Sequence, residues 1–255
     1  MTERSPANAP ASTPTRRIWV LVQTVIIFGF IGWVAWPRSG DSGATGTGAA
    51  APAAIQSAPE IPMGTAADAD TLLRDVQSVD RSVAVDLRYR GTNNFTGAPL
   101  PGYDANRALL RREAAVALGR VQQALASQGL GLLIYDAYRP VRATEAMVAW
   151  TVRTHQEALI RDGYISDRSK HNLGVAIDLT LVDRRTGTPL EMGVPFDTFS
   201  PAAHTANATG TAAANRTKLV AAMQQGGFTN YDQEWWHFTF AVPAESLRRF
   251  DTPIQ

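Results

Sequence analysis

Hydrophobic and polar residues divide this chain into three unlike parts. From Ile18 to Trp36 no side chain is formally charged and no amphipathic period is present, a pattern that suits a helix surrounded by lipid better than one resting on a core. As a helix this stretch measures about 28 Å, close to the hydrocarbon thickness of a bilayer. Trp19 lies near one end and Trp33 and Trp36 near the other, where aromatic side chains meet a membrane interface. Residues 37–66 are dominated by Ala, Gly, Ser, Thr and Pro, which cannot bury a core and predict a flexible, disordered tether. Only from residue 67 onwards does the pattern take on the periods of a folded domain.

Within residues 67–255, Asp68–Val79 reads as a short helix. Ser82–Tyr89 alternates apolar and polar positions as a half-buried strand would. Over 107–127, Leu109, Leu110, Ala114, Leu118, Val121 and Leu125 share one helical face, and Gly129 closes the element. Leu130–Tyr135 is a buried strand, and Pro140 opens a helix predicted to reach Arg161. Val175–Leu181 is a second apolar strand; 183–211 is rich in loops. Ala212–Gln225 forms a helix stopped by Gly226 and Gly227, and Trp235–Val242 forms a last, aromatic strand. The alternation would suit a parallel sheet, but no Gly-rich phosphate loop follows any strand. An α+β domain with a mixed or antiparallel central sheet and flanking helices is therefore expected.

Composition narrows the chemistry. With 255 residues and a net charge of +1 there is no electrostatic case for a nucleic-acid partner, and no protein partner can be inferred. Cysteine is absent, which removes disulfides, thiolate ligands and Cys nucleophiles, so a metal must be held by His, Asp or Glu. The histidines are His155, His171, His204 and His237; His155 reads as a helix-surface residue and His204 as a loop residue. Arg16 and Arg17 precede the apolar stretch and favour an orientation with the N-terminus inside. The expected organisation is a cytoplasmic tail (1–17), one transmembrane signal-anchor (18–36), a linker (37–66) and a domain (67–255) on the outer side of the cytoplasmic membrane. Secretion after cleavage near Ala49–Ala54 is the alternative, and Thr15–Leu21 also resembles a twin-arginine export signal.

Asp178 stands inside the apolar run Val175–Leu181, where a carboxylate is costly unless a cation or metal ion compensates it. His171 lies seven positions earlier, and a second polar island, Glu234-Trp-Trp-His237, lies near the C-terminus. His171, Asp178 and His237 make a three-ligand set with room for a water at the fourth position of one zinc ion. Glu234 remains outside the set as a candidate general base.

Ser169-x-His171-x-x-Gly174-x-Ala176-x-Asp178 together with Glu234-x-x-His237 resembles the paired signatures of the zinc D-Ala-D-Ala peptidases, peptidase family M15. Asp86–Tyr89, Asn93–Gly97, Tyr135–Pro140, Asp178–Leu181 and Met192–Asp197 resemble the VanX-type dipeptidase branch in particular, over roughly residues 72–250. The resemblance implies the zinc DD-peptidase/Hedgehog-like fold and a metallo-dipeptidase that hydrolyses D-alanyl-D-alanine in cell-wall metabolism. It implies zinc held by His171, Asp178 and His237, Glu234 as general base, Arg139 as the oxyanion-stabilising cation, and substrate contacts from Ser169, Asp197 and Tyr89. The chain departs from that branch in its export segment and in the short connection from Arg161 to Ser169. Two alternatives stay open: a zinc DD-carboxypeptidase or other murein peptidase, and a non-catalytic wall-binding module.

Overall fold

The computed structural model describes residues 60–255. The expected tail, membrane segment and most of the linker lie outside the described residues, among which no helix is long and apolar enough to cross a membrane. In chain order the elements are α1 (Ala66–Leu72), β1 (Leu73–Asp75), α2 (Val76–Val79), β2 (Ala84–Val85), β3 (Leu109–Arg111), α3 (Arg112–Ala126) and β4 (Leu130–Asp136). There follow α4 (Val141–Arg153), α5 (Ala158–Arg161), β5 (Ala176–Asp183), α6 (Gly210–Gln225), β6 (Phe228–Asn230) and β7 (His237–Phe240). Five strands form the central sheet in the order β2-β4-β5-β7-β6, with β1 and β3 as a separate pair. Only β2 and β4 run parallel; β4–β5, β5–β7 and β6–β7 are antiparallel, so the sheet is mixed as expected.

Along β5 successive side chains point to opposite faces. Ile177, Leu179 and Leu181 join the continuous core with Leu118, Val121 and Leu125 of α3 and Leu219 and Met223 of α6. Asp178 and Thr180 take the other face, which leaves a carboxylate in the middle of a fully packed strand. Truncating any of the buried leucines to Ala would cost about 2–5 kcal/mol, so the site below stands on a rigid floor.

The differences from the sequence reading come from long-range pairing. The helix expected over 107–127 starts at Arg112, because Leu109–Arg111 pairs with Leu73–Asp75; Tyr138 N also donates to Leu109 O, and Arg111 N donates to Gly174 O. The same pairing splits the helix expected over Asp68–Val79. The strand expected over Ser82–Tyr89 keeps only Ala84–Val85 and passes into a 3₁₀ turn that carries Tyr89. The helix expected to reach Arg161 ends at Arg153, and His155, expected on a helix surface, takes a left-handed conformation with φ of 58° between α4 and α5. β6 was not foreseen. The linker boundary also moves. Arg249 N donates to Pro62 O, Gly64 N donates to Arg249 O, and the Thr65 hydroxyl closes a capping box with Asp68, so the folded domain begins before residue 67.

Candidate metal centre and substrate cleft

The sheet register sets three polar residues side by side. Asp136 at the end of β4 lies opposite Asp178 on β5, and Asp178 lies opposite His237 at the start of β7. A register shift between Ile134 and Asp136 accompanies this placement. His171 arrives from the 3₁₀ turn Lys170–Leu173, whose first amides are capped by Ser169: His171 N donates to Ser169 Oγ over 3.3 Å. The turn ends at Gly174 with φ of 68°, which favours glycine, and a Cβ there would lie 2.5 Å from Leu73 Cδ2, so that side chain would have to shift as well. That close stop turns the chain directly into β5 and brings His171 back over Asp178.

Three donor atoms converge. His237 Nδ1 lies 2.9 Å from Asp178 Oδ1, His171 Nε2 lies 3.2 Å from His237 Nδ1, and His171 Nε2 lies 3.4 Å from Asp178 Oδ1. Zinc ligands at their usual bond lengths and a tetrahedral angle are about 3.3 Å apart, so the donor set fits such an ion without rearrangement. The tautomer fits as well. His171 Nδ1 lies 2.6 Å from the Ala137 carbonyl, which can only accept, so the proton is on Nδ1 and the Nε2 lone pair faces the cluster. Burial alone would raise the Asp178 pKa, but His171 and His237 outweigh it and hold this carboxylate well below its ordinary value. His171, Asp178 and His237 are therefore a group that could hold a metal ion.

Around them, Asp136 is the hub that the sequence reading missed. It is fully buried; its Oδ1 accepts from Tyr103 OH at 2.6 Å and its Oδ2 accepts from Arg139 Nε at 2.9 Å, with Arg139 Nη2 at 2.8 Å. The same oxygen lies 3.4 Å from His171 Nδ1. Its signal was the one used for Asp178, a carboxylate closing an apolar strand. Arg139 is also 3.9 Å from Asp178, stacks 5.0 Å from the centre of the Tyr89 ring, and donates to Met147 Sδ. Burial would lower its pKa, but Asp136 chiefly raises it well above the ordinary value, so the guanidinium is permanently charged. Asn172, also unforeseen, donates to Arg139 O and Thr144 Oγ1 and ties the arginine's backbone to the histidine turn.

Glu234 sits in the turn before β7, with Oε2 3.8 Å from His237 Nδ1. Asn230 secures that turn by donating to both Glu234 O and His237 O. Burial, reinforced by Asp178 and Asp197, raises the Glu234 pKa well above its ordinary value. Asp197 has φ of 64°, an unusual conformation for a residue with a side chain. Its Oδ1 accepts from Tyr89 OH at 2.9 Å, while its buried Oδ2 has no partner. Burial raises its pKa to about 7 against the opposing hydrogen bond from Tyr89.

Tyr89, Arg139, Ser169, His171, Asp178, Asp197, Glu234 and His237, all singled out from the sequence, line one cleft of 480 Å³. Phe95, Phe199 and Trp236 wall it, and Tyr164, whose hydroxyl is 3.1 Å from His204 Nε2, stands at its rim. A cleft of this size with a few convergent polar groups is the form of a small-molecule site.

Comparison with known proteins identifies the family. The profile of peptidase M15, described as D-ala-D-ala dipeptidase, matches residues 69–250. A D-alanyl-D-alanine dipeptidase of Enterococcus faecium is 33% identical over 196 residues, 71% of this chain and 96% of the relative. A D-alanyl-D-alanine dipeptidase of Streptomyces coelicolor is 34% identical over 184 residues, 66% of this chain and 91% of the relative. Among solved structures, the D,D-dipeptidase VanXYg in complex with a D-Ala-D-Ala phosphinate analogue matches with a TM-score of 0.36 and 18% identity over 69% of this chain and 68% of that one.

Proposed function

The chain belongs to the D-Ala-D-Ala dipeptidase family of peptidase M15, and from that premise we propose that it is a zinc-dependent hydrolase that cleaves D-alanyl-D-alanine into two molecules of D-alanine. The observation that carries the reading is the convergence of His171 Nε2, Asp178 Oδ1 and His237 Nδ1 beside a free carboxylate, Glu234, and a locked guanidinium, Arg139. His171, Asp178 and His237 hold the ion. When bound, zinc would supply Lewis acidity, lowering the pKa of a water towards about 7 and polarising a carbonyl.

Glu234, the carboxylate beside the donor set, takes the proton of the attacking water and delivers it to the leaving amine. Arg139 meets the negative charge that develops on the scissile carbonyl oxygen, and Asp136 holds it in place for that task. The unpartnered Asp197 Oδ2 receives the free ammonium of the dipeptide, with Tyr89 steadying the other oxygen. Ser169, whose hydroxyl proton is left free by its capping role, contacts the rest of the substrate from the rim. An ammonium partner buried at one end favours a substrate with a free N-terminus over an internal stretch of a longer chain.

The test is the purified full-length protein, zinc-loaded, with D-Ala-D-Ala, L-Ala-L-Ala and a D-Ala-D-Ala-terminated pentapeptide. Release of D-alanine from the first alone supports the dipeptidase, and preferred cleavage of the pentapeptide turns the reading to a carboxypeptidase. Glu234→Ala should abolish turnover with its metal content unchanged, and near-normal activity in that variant overturns the mechanism. We infer as well, from the apolar stretch 18–36 and the arginines before it, that the domain is tethered outside the cytoplasmic membrane. Recovery of the protein in the soluble cytoplasmic fraction would overturn that.

A further inference from the structure

Both carboxylates that flank the metal cluster depend on a long segment with little regular structure. Residues 190–208 contain only the 3₁₀ turns Pro201–Ala203 and Thr205–Asn207, yet this segment carries Asp197 and also supports the turn that carries Glu234. Trp235 N donates to Ala203 O at 3.1 Å, Thr205 N donates to Asp232 O at 2.8 Å, and Thr205 Oγ1 donates to Asn230 Oδ1 at 2.6 Å. Asn230 in turn holds Glu234 O and His237 O.

What anchors the segment is two consecutive side chains of α6. Asn215 Nδ2 donates to Glu191 O at 2.8 Å. Arg216 donates through Nε to Met192 O at 2.8 Å, through Nη1 to His204 O at 2.7 Å and through Nη2 to Ala202 O at 3.1 Å. Arg216 is 1% exposed, its three hydrogen-bond partners are all backbone carbonyls, and its guanidinium carbon lies over the Trp235 ring, 5.9 Å from its centre. A guanidinium buried without a carboxylate is costly to desolvate, and here three backbone carbonyls are its compensation. The arginine contributes a rigid planar fork that can reach carbonyls from two separate stretches at once. One stretch, at Met192, leads into Asp197. The other, Ala202–His204, is the ledge beneath Glu234.

We propose that Arg216 is a positioning residue for both carboxylates of the cleft, clamping the Asp197 segment and the Glu234 ledge to α6, with Asn215 assisting on the Asp197 side alone. The kinetic part of this inference rests on the dipeptidase reading; the structural part does not.

The test uses the zinc-loaded full-length protein with Arg216→Ala, Arg216→Lys and Asn215→Ala. Displacing groups that orient a reaction by about 1 Å costs about 10²-fold, so Arg216→Ala should lose about that much in kcat/KM, through a lower kcat and a higher KM together. Asn215→Ala should raise KM with kcat kept, Arg216→Lys should fall between, and millimolar guanidinium should restore part of the activity of Arg216→Ala. Independently of turnover, amide hydrogen exchange at Trp235 and Thr205 should quicken in Arg216→Ala while the amides of α3 keep their protection. The proposal is overturned if kcat/KM of Arg216→Ala stays within about threefold of wild type. It is also overturned if the activity loss only follows the unfolded fraction, or if Trp235 exchanges as before. Should Arg216→Ala not fold, Arg216→Lys and Asn215→Ala carry the same comparison. If the wild type cleaves no dipeptide, the dipeptidase reading falls, and the exchange measurement still decides on Arg216.

Discussion

Asp178 and Asp197 line the same cleft, and their surroundings treat the two carboxylates in opposite ways. Asp178 projects from the middle of β5, held by strands on both sides, and one oxygen faces two histidine nitrogens at 2.9 and 3.4 Å. Burial opposes its charge, but the histidines prevail and its pKa is depressed. Asp197 projects from a loop with φ of 64°, one oxygen bonded to Tyr89 and the other without a partner. There burial prevails, and its pKa rises to about 7. The strand-borne end of the cleft is complete in itself and shaped for an ion. The loop-borne end has a positive φ and an unsatisfied oxygen, a surrounding that a cationic group would complete.

Substitutions should separate the two ends. Asp178→Asn removes the anionic member of the donor set, so the metal content measured by mass spectrometry should fall with the activity. Several kcal/mol of transition-state stabilisation leave with the ion, so turnover should drop about 10³-fold or more. A variant that kept both would erase the distinction. Asp197→Asn should keep its metal and raise KM by about tenfold to a hundredfold, the usual worth of a charge-assisted hydrogen bond. Loss of metal there would mean that the two ends are not independent. Asp136→Asn, which loosens the Arg139 and His171 contacts without touching the donor set, should cost about tenfold in metal affinity or kcat, as outer partners of metal ligands do.

The strand-borne end was legible in the sequence, and the loop-borne end largely was not. Asp178 announced itself because a carboxylate in an apolar run demands a partner, and the mixed sheet followed from strand periods without a phosphate loop. Asp136 offered the same signal at the end of Leu130–Asp136 and was passed over, because a polar residue at a strand terminus also reads as the start of a turn. Asp197, Ser169 and Tyr89 were named only through family resemblance. Nothing local in Met192–Asp197 says that its acid is sunk in a cleft 108 positions from the tyrosine that binds it. The elements misjudged share that cause. Leu109–Arg111 has helical periodicity and pairs instead with Leu73–Asp75, and Phe228–Asn230 is a strand only because β7 lies beside it. Local pattern cannot show a partner distant in the chain.

The prediction that isolates Asp197 is a change of stability with pH. A carboxyl group with an ordinary pKa near 3.9 when unfolded and about 7 when folded binds more protons in the folded state between those values. Its contribution to stability is therefore fully present below about pH 4 and is lost as pH rises through 7. Asp178, with its depressed folded pKa, stays charged in the folded state and adds a slope, of opposite sign, only near pH 4 where its unfolded carboxylate titrates. Glu234, raised like Asp197, adds a slope of the same sign, so removing Asp197 should flatten the profile only in part. Asp197→Asn should accordingly be more stable than wild type at pH 8 by about 2–4 kcal/mol in metal-free protein, and close to it at pH 4. Denaturant titrations at the two pH values measure this directly. An equal difference at both would mean that Asp197 is ionised at no cost, and the contrast with Asp178 would then lie in backbone strain alone. If Asp197 receives the ammonium as proposed, KM should climb as lower pH protonates its carboxyl. On that proposal the destabilisation and the affinity share one unsatisfied oxygen, and relieving the first should remove the second.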